Sequence, residues 1–129
     1  MNADEVRARA VKYGFEIVNP GVLSLAEQVR VFSEGRMICG PHGAGLANAA
    51  FMPTGGAVLE LTHSGLLHQT SGPWVDLLFY ELAAAAGLIY SCVVGDQISG
   101  ATEPLDMDFS VDLTQMETAL KAMSAALNP

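Results

Sequence analysis

The sequence predicts an α/β fold: a Rossmann-like, three-layer α/β/α arrangement around a mostly parallel sheet of about four strands. Apolar runs of strand length alternate with stretches whose apolar residues recur at helical spacing. Half of the 129 residues are hydrophobic and only 16% are charged, a balance typical of a sheet covered on both faces. A glycine-rich turn directly follows one predicted strand, at the edge where open parallel sheets bind ligands. The length corresponds to a single domain, residues 1–129.

Signals at the helix ends set the predicted boundaries. Asn2 with Glu5 is a helix start and Gly14 a stop, and the run Ser24-Leu25-Ala26-Glu27 is a capping box. The resulting helices span residues 2–13, 24–35, 46–52 and 74–87, with a last one from Asp112 or Thr114 to Leu127. The strands span residues 15–19, 36–39, 57–62 and 88–94. Residues 95–110 hold glycine, proline and four acidic residues without a period, which predicts a long loop.

Charge and composition exclude several classes of protein. Six Lys and Arg residues against fourteen Asp and Glu residues give a net charge of −8, so no basic surface for nucleic acid or anionic lipid is expected. No apolar run approaches the roughly 18 to 20 residues of a membrane span, and the polar amino terminus lacks the features of a signal peptide. We therefore expect a cytoplasmic protein that is located at the inner membrane only as part of a complex.

Two cysteines, Cys39 and Cys92, lie inside predicted strands. In a reducing compartment they are expected to be buried free thiols, with a disulfide between them as the minor alternative.

The glycine-rich turn is the main candidate site. Gly43 and Gly45 lack a Cβ atom, so the backbone there can adopt positive φ angles and expose consecutive N–H groups. The helix that follows adds the positive end of its dipole, and His42 adds a donor or a positive charge. Such a loop suits an anion, most often a phosphate or diphosphate. The alternative is that the glycines only form a tight turn between strand and helix.

Four segments carry a resemblance to a known family, glycosyltransferase family 61. They are Ser24-Leu25-x-Glu27-Gln28-Val29-x-Val31-Phe32, Gly40-Pro41-His42-Gly43-Ala44-Gly45-Leu46-x-Asn48, Phe51-Met52-Pro53 and Val58-Leu59-Glu60-Leu61. The family includes capsular polysaccharide biosynthesis proteins and eukaryotic transferases of xylose, arabinose and N-acetylglucosamine. The similarity extends from about Asn2 to Thr62, and the Pro-His-Gly-Ala-Gly-Leu-x-Asn string is its specific part.

The resemblance implies a GT-B-like enzyme of two facing Rossmann-like domains, of which this chain is similar to the carboxy-terminal, nucleotide-sugar-binding one. By the resemblance, Gly43, Ala44, Gly45 and Leu46 offer N–H groups to the diphosphate of a UDP-sugar, and His42 is the catalytic residue that contacts the same oxygens. No metal cofactor is implied. The upstream domain, which would bind the glycan acceptor, is expected to be absent, so the chain alone is expected to be inactive.

Other polar residues leave alternatives open. Glu60, within an apolar strand, either accepts hydrogen bonds from ribose hydroxyls or is a solvated carboxylate on an edge strand. Asn48 either touches the ligand or holds the loop backbone. His63 and His68 are too weak a pattern for zinc and are expected to be solvated, with contact to a sugar or a base as the alternative. Trp74 lies on an apolar stripe, which favours core packing over stacking on a sugar.

The predicted sheet also has a gap. In a flavodoxin-like strand order, the strand that family members carry upstream would lie between residues 15–19 and 36–39. Either these two strands pair directly, or another chain fills the gap, which favours a homodimer through sheet edges.

Three functions follow from these observations. The first is the nucleotide-sugar-binding domain of a glycosyltransferase in capsular or surface polysaccharide synthesis, and the second is a non-catalytic remnant or assembly subunit of such a complex. A dinucleotide-dependent enzyme ranks lowest, because Asn48 stands at the third glycine of the G-x-G-x-x-G fingerprint.

Overall fold

The computed structural model describes residues 1–67, 77–98 and 108–128 of the chain. Its helices are α1 (Ala3–Lys12), α2 (Leu25–Ser33), α3 (Ser64–Leu67), α4 (Leu78–Ala86) and α5 (Leu113–Leu127), and 3₁₀ helices cover Pro20–Val22 and Ala44–Phe51. Its strands are β1 (Met37–Pro41), β2 (Ala57–His63), β3 (Ile89–Gln97) and β4 (Phe109–Ser110). The chain is therefore of the α/β class, as the alternation of apolar patterns predicts.

The strands form one sheet in the order β1-β2-β3-β4. β1, β2 and β3 are parallel, with Gly40 opposite Glu60 and Glu60 opposite Cys92, whereas β4 is antiparallel to β3. The sheet is thus mixed, and the expectation of a mostly parallel sheet is wrong. β4 has two residues and lies in the segment predicted as a loop, and so short a strand leaves no periodic pattern to detect.

The predicted strand at residues 15–19 is absent from the sheet. The Phe15 amide donates to the carbonyl of Ala10 (3.2 Å) at the end of α1, and residues 15–19 form no ladder. β1 is consequently an edge strand, and the direct pairing that would close the predicted gap does not occur. A segment with strand-forming residues becomes a strand only when a neighbouring strand lies within hydrogen-bonding reach, which no local pattern guarantees.

Helix ends follow the sequence signals in most places. The capping box is confirmed: the Ser24 hydroxyl accepts from the Glu27 amide (3.3 Å), and the Glu27 carboxylate accepts from the Ser24 amide (2.8 Å). Gly87 ends α4 in the left-handed conformation, φ 68°. Asn2 is the N-cap residue of α1, as predicted, but its side chain forms no capping hydrogen bond. The side-chain oxygen instead accepts from the Val111 amide (2.9 Å), which ties the amino terminus to the segment before α5.

One predicted helix differs in kind. The segment expected to be helical at residues 46–52 is a 3₁₀ helix that begins two residues earlier, at Ala44. The predicted start of the fourth helix, at Trp74, lies outside the described residues, as does His68.

Apolar clusters cover both faces of the sheet. On one face, alternate residues of β2 pack with α1 and α5; this cluster contains Val6, Ala10, Ala57, Leu59, Leu61, Met116, Leu120 and Met123. On the other face, Ile38 and Val58 pack with the 3₁₀ helix and α4 through Leu46, Ala49, Phe79 and Ala83. All seven residues of β2 are buried, as expected of a strand in the middle of a sheet with helices on both sides.

Candidate functional site

The glycine-rich loop leaves the carboxyl end of β1. The His42 amide donates to the carbonyl of Leu61 (2.8 Å), so pairing with β2 continues one residue past β1. The chain then turns at Gly43, whose φ of 150° is a conformation that residues with a side chain rarely adopt. A Cβ atom at Gly43 would meet nothing within 4 Å, so the requirement for glycine comes from the backbone angle and not from crowding.

Three consecutive amides of this loop have no acceptor among the described residues: those of Gly43, Ala44 and Gly45. The Leu46 amide, predicted as a fourth donor, bonds to the carbonyl of Gly43 (3.0 Å) within the 3₁₀ helix. The loop therefore presents three amides in this conformation, all on residues that line a cleft of about 820 Å³.

The His42 side chain is held from two directions. Its Nδ1 atom lies 2.5 Å from Oε1 of Glu60, and its ring meets the ring of Phe79 edge-on, with centroids 5.0 Å apart. The His42 and Glu60 side chains are 7% and 5% exposed. The ring orientation is thus determined by contacts inside the protein, before any ligand is present.

Glu60 makes a second short hydrogen bond. The Tyr90 hydroxyl donates to its Oε2 atom (2.5 Å), so both carboxylate oxygens have a partner. Burial, followed by the hydrogen bond to Glu60, raises the pKa of Tyr90 well above its usual range, which keeps the hydroxyl protonated and donating. A buried carboxylate is tolerated when its oxygens are paired in this way.

This geometry excludes one of the two interpretations of Glu60. The residue is 4% exposed and lies on a central strand, so the interpretation as a solvated edge carboxylate is wrong. Contact with a ribose stays a prediction, although in this conformation both oxygens serve His42 and Tyr90. Sequence reasoning missed Tyr90; the available signal was an aromatic hydroxyl on the strand following the one with the buried acid.

Asn48 stabilises the loop from within. Its side-chain amide donates to the carbonyl of Gly45 (3.0 Å), and the residue is 5% exposed. The alternative in which Asn48 holds the loop backbone is the one that the hydrogen bond supports.

The remaining candidates lie elsewhere. His63 is 1% exposed with its ring 5.2 Å from that of Phe109, so its prediction as a solvated residue is wrong.

Both cysteines are free thiols. Burial raises the pKa of Cys39 to about 12. Cys92 is exposed, so the prediction that it is buried is wrong. Within the described ranges, no three His, Cys, Asp or Glu residues gather as a metal site would require. None of the helices in those ranges is long and apolar enough to cross a bilayer.

The cleft extends along the whole free edge of β1. It is lined by β1 with the loop and by residues 14–20. The amino-terminal end of β1 lies close to the end of α5, where Arg36 donates to Asn128 and Leu127. The three amides therefore lie at one end of a long cleft, at the carboxyl end of the sheet.

Comparison with known proteins finds one family. Residues 1–59 match the family model of Glycosyltransferase 61, so the resemblance recognised in the sequence is confirmed over 59 of the 129 residues. The matched segment contains α1, α2, β1, the glycine-rich loop and its 3₁₀ helix, and it ends one residue before Glu60. No curated protein and no solved structure matches the chain.

Proposed function

We propose, from the membership of residues 1–59 in glycosyltransferase family 61, that this chain binds the nucleotide-sugar donor of a glycosyl transfer reaction, and that the donor is a UDP-sugar. The observation that carries the proposal is the set of three loop amides, Gly43 to Gly45, that have no acceptor in the described structure and line the cleft. Successive amides in a turn form a concave anion site, and a diphosphate supplies several acceptor oxygens at once.

The size and place of the cleft support the same ligand. Its volume of about 820 Å³ falls within the roughly 300 to 1,000 Å³ of small-molecule sites. The amides stand at the start of the 3₁₀ helix Ala44–Phe51, whose aligned peptide dipoles add positive potential there. Because the net charge of the chain is −8, the overall charge does not attract an anion. Local donors such as these amides have to hold it.

His42 supplies the side-chain contact in this proposal. Its ring, which Glu60 orients through Nδ1, follows β1 directly before the loop amides, and we expect it to donate to an oxygen of the same diphosphate. As the sugar departs, negative charge grows on the diphosphate, so donors at this place stabilise the transition state more than the bound donor substrate. In this role His42 is the catalytic residue, and the site needs no metal.

The wider assignment belongs to the same proposal. The family resemblance supports a GT-B-like enzyme in capsular or surface polysaccharide synthesis in the cytoplasm, in which a second domain binds the glycan acceptor. In this proposal the groups described above bind the donor, and the residues that bind the acceptor belong to that second domain.

Calorimetric titration with UDP, UDP-N-acetylglucosamine and UDP-xylose tests the proposal. Gly43→Ala and His42→Ala should each weaken UDP binding by about tenfold, roughly the value of one charge-assisted hydrogen bond. Gly55→Ala is the matched control, because Gly55 also has a positive φ (86°) and an open Cβ position but is not in the cleft. Absence of heat with every nucleotide, or equal losses in all three variants, would contradict the proposal.

The second candidate, a non-catalytic assembly subunit, is favoured by a separate observation, the open edge of β1. It predicts a stoichiometric partner chain and no nucleotide affinity. NAD and NADP belong in the same titration, because binding of either would instead support the dinucleotide enzyme.

A further inference from the structure

Three side chains form a continuous line of hydrogen bonds across the sheet. His42 follows β1, Glu60 lies on β2 and Tyr90 lies on β3. Nδ1 of His42 is 2.5 Å from Oε1 of Glu60, and the Tyr90 hydroxyl is 2.5 Å from Oε2. One carboxylate therefore joins the residue next to the glycine-rich loop to a residue two strands away.

The register of β2 and β3 explains why Tyr90 reaches Glu60. Tyr90 lies opposite Val58, and Glu60 lies opposite Cys92, so Tyr90 and Glu60 are diagonal neighbours on adjacent strands. Side chains two residues apart on a strand share a face, which places Val58 and Glu60 on the face to which Tyr90 points. An aromatic side chain is long enough to span such a diagonal. The contact thus follows from strand pairing.

Apolar packing holds the two rings at the ends of this line. The Phe79 ring meets the His42 ring edge-on, with centroids 5.0 Å apart, an arrangement that favours one relative orientation of the rings. Tyr90 packs against the apolar cluster that contains Val58 and Phe79. Both rings are therefore restrained on the side away from Glu60, and the carboxylate between them receives a partner at each oxygen.

The positions of the protons decide what this line of hydrogen bonds does. Burial, then the hydrogen bond to Glu60 and the nearby Cys92 thiol, raises the pKa of Tyr90, so the hydroxyl keeps its proton and donates. A donor at one oxygen of a carboxyl group favours the ionised form, which accepts at both oxygens. Oε1 then accepts from His42, and this requires a proton on Nδ1. In the alternative, a protonated Glu60 donates to Nδ1 and offers Tyr90 only a weaker, uncharged acceptor.

We propose that Tyr90 is a positioning residue for His42. By donating to Oε2 it keeps Glu60 an acceptor, and Glu60 in turn holds the imidazole in one orientation with a proton on Nδ1. The proposal rests on the proposed function for its ligand, because the imidazole held in this way is the one expected to meet the diphosphate. Glu60 and Tyr90 both lie beyond residues 1–59, so neither is part of the family match.

Glu60 is the group through which Tyr90 acts. Among the described residues, the ionisable side chains in contact with Glu60 are His42 and Tyr90. Those in contact with Tyr90 are Glu60, Tyr80 and Cys92. Loss of the Tyr90 hydroxyl should therefore be felt at His42 only while the Glu60 carboxylate is present.

Nitrogen NMR of isotope-labelled histidine tests the proton positions. The signals of His42 are assigned by their loss in His42→Ala. In the parent protein at neutral pH, Nδ1 should have the chemical shift of a protonated ring nitrogen. In Tyr90→Phe, which removes only the hydroxyl, the Nδ1 signal should move toward the value of an unprotonated nitrogen, because the Glu60 carboxyl group then takes a larger share of the proton.

Tyr80→Phe is the matched control for this measurement. The Tyr80 ring is edge-on to that of Tyr90, with centroids 5.6 Å apart, and its hydroxyl is not one of the two partners of Glu60. The substitution removes a neighbouring hydroxyl and keeps the ring. It should leave both the Nδ1 signal and UDP affinity as in the parent protein.

UDP titration measures the consequence for binding. Tyr90→Phe should weaken UDP binding about threefold, less than Glu60→Gln, because the lost hydrogen bond is one group further from His42. In the Glu60→Gln background, Tyr90→Phe should cause no further loss, since its effect passes through the carboxylate.

The proposal is overturned if Nδ1 of His42 is unprotonated in the parent protein, because Glu60 would then be the donor. It is also overturned if Tyr90→Phe leaves the Nδ1 signal unchanged, as a purely structural role would, or if the losses in UDP affinity add up in the double variant. If the parent protein binds no nucleotide, the proposed function fails, whereas the nitrogen signals still decide whether Tyr90 positions His42.

Discussion

The two faces of β2 differ in chemistry although both are buried. Ala57, Leu59 and Leu61 point to the face covered by α1 and α5, where they pack with apolar residues of these helices. Val58 points to the opposite face, and Glu60, two residues on, bonds to His42 and Tyr90 there. Burial by itself therefore does not distinguish the part of this strand that holds the fold together from the part that positions a reactive side chain.

The difference has an energetic meaning. Apolar residues gain free energy on burial at about 25 cal/mol per Å², without requiring a particular partner. A buried carboxylate needs both its partners and contributes little net stability even when they are present. The apolar face should therefore control stability, and the polar face should control ligand binding.

The largest expected effect is on the apolar face. Leu120→Ala on α5 removes a fully buried side chain and should lower the free energy of unfolding by about 3 to 4 kcal/mol, measured by urea denaturation. UDP affinity of the remaining folded protein should be unchanged. A parallel loss of affinity would show that the two faces are not separable.

Glu60→Gln should produce a mixed effect. It removes the charge between His42 and Tyr90 and should lower the free energy of unfolding by about 2 kcal/mol. It should also lower UDP affinity about tenfold, because the imidazole of His42 is then less restrained. The control is Thr62→Val on the same face, a buried hydroxyl without a partner in the described structure, which should leave both quantities nearly unchanged. Affinity equal to that of the parent protein would contradict the positioning of His42 by Glu60.

Tyr90→Phe should produce the smallest effect, about 1 kcal/mol at neutral pH, because one hydrogen bond is lost while the ring stays. The loss of this hydrogen bond should show in how the free energy of unfolding depends on pH. The pKa of Tyr90 is raised in the folded state, so its contribution is complete below the unfolded value of about 10 and is lost as the pH rises above it. Unfolding curves between pH 8 and 11 should show that alkaline loss in the parent protein and a smaller one in the variant.

The failures of sequence prediction have particular causes. Residues 15–19 have the composition of a strand, but no strand in the described parts of the chain pairs with them, so their conformation depends on contacts outside the local pattern. Phe109–Ser110 has too few residues for a period, yet it pairs with the end of β3. Glu60 was recognised as costly to bury, but its partners come from positions 18 residues before and 30 residues after it in the chain.

The sequence alone determined what depends on short-range chemistry: helices α1, α2, α4 and α5, strands β1, β2 and β3, the glycine turn at residues 43–45, and the match of residues 1–59 to a glycosyltransferase family model. Backbone propensity, capping and periodicity act within a few residues and leave a readable record. Only the tertiary structure decided which strand lies at the edge, which side chains satisfy Glu60, and that a cleft runs along β1. Those outcomes depend on hydrogen bonds between residues distant in the chain, whose pairing is set by packing of the whole sheet.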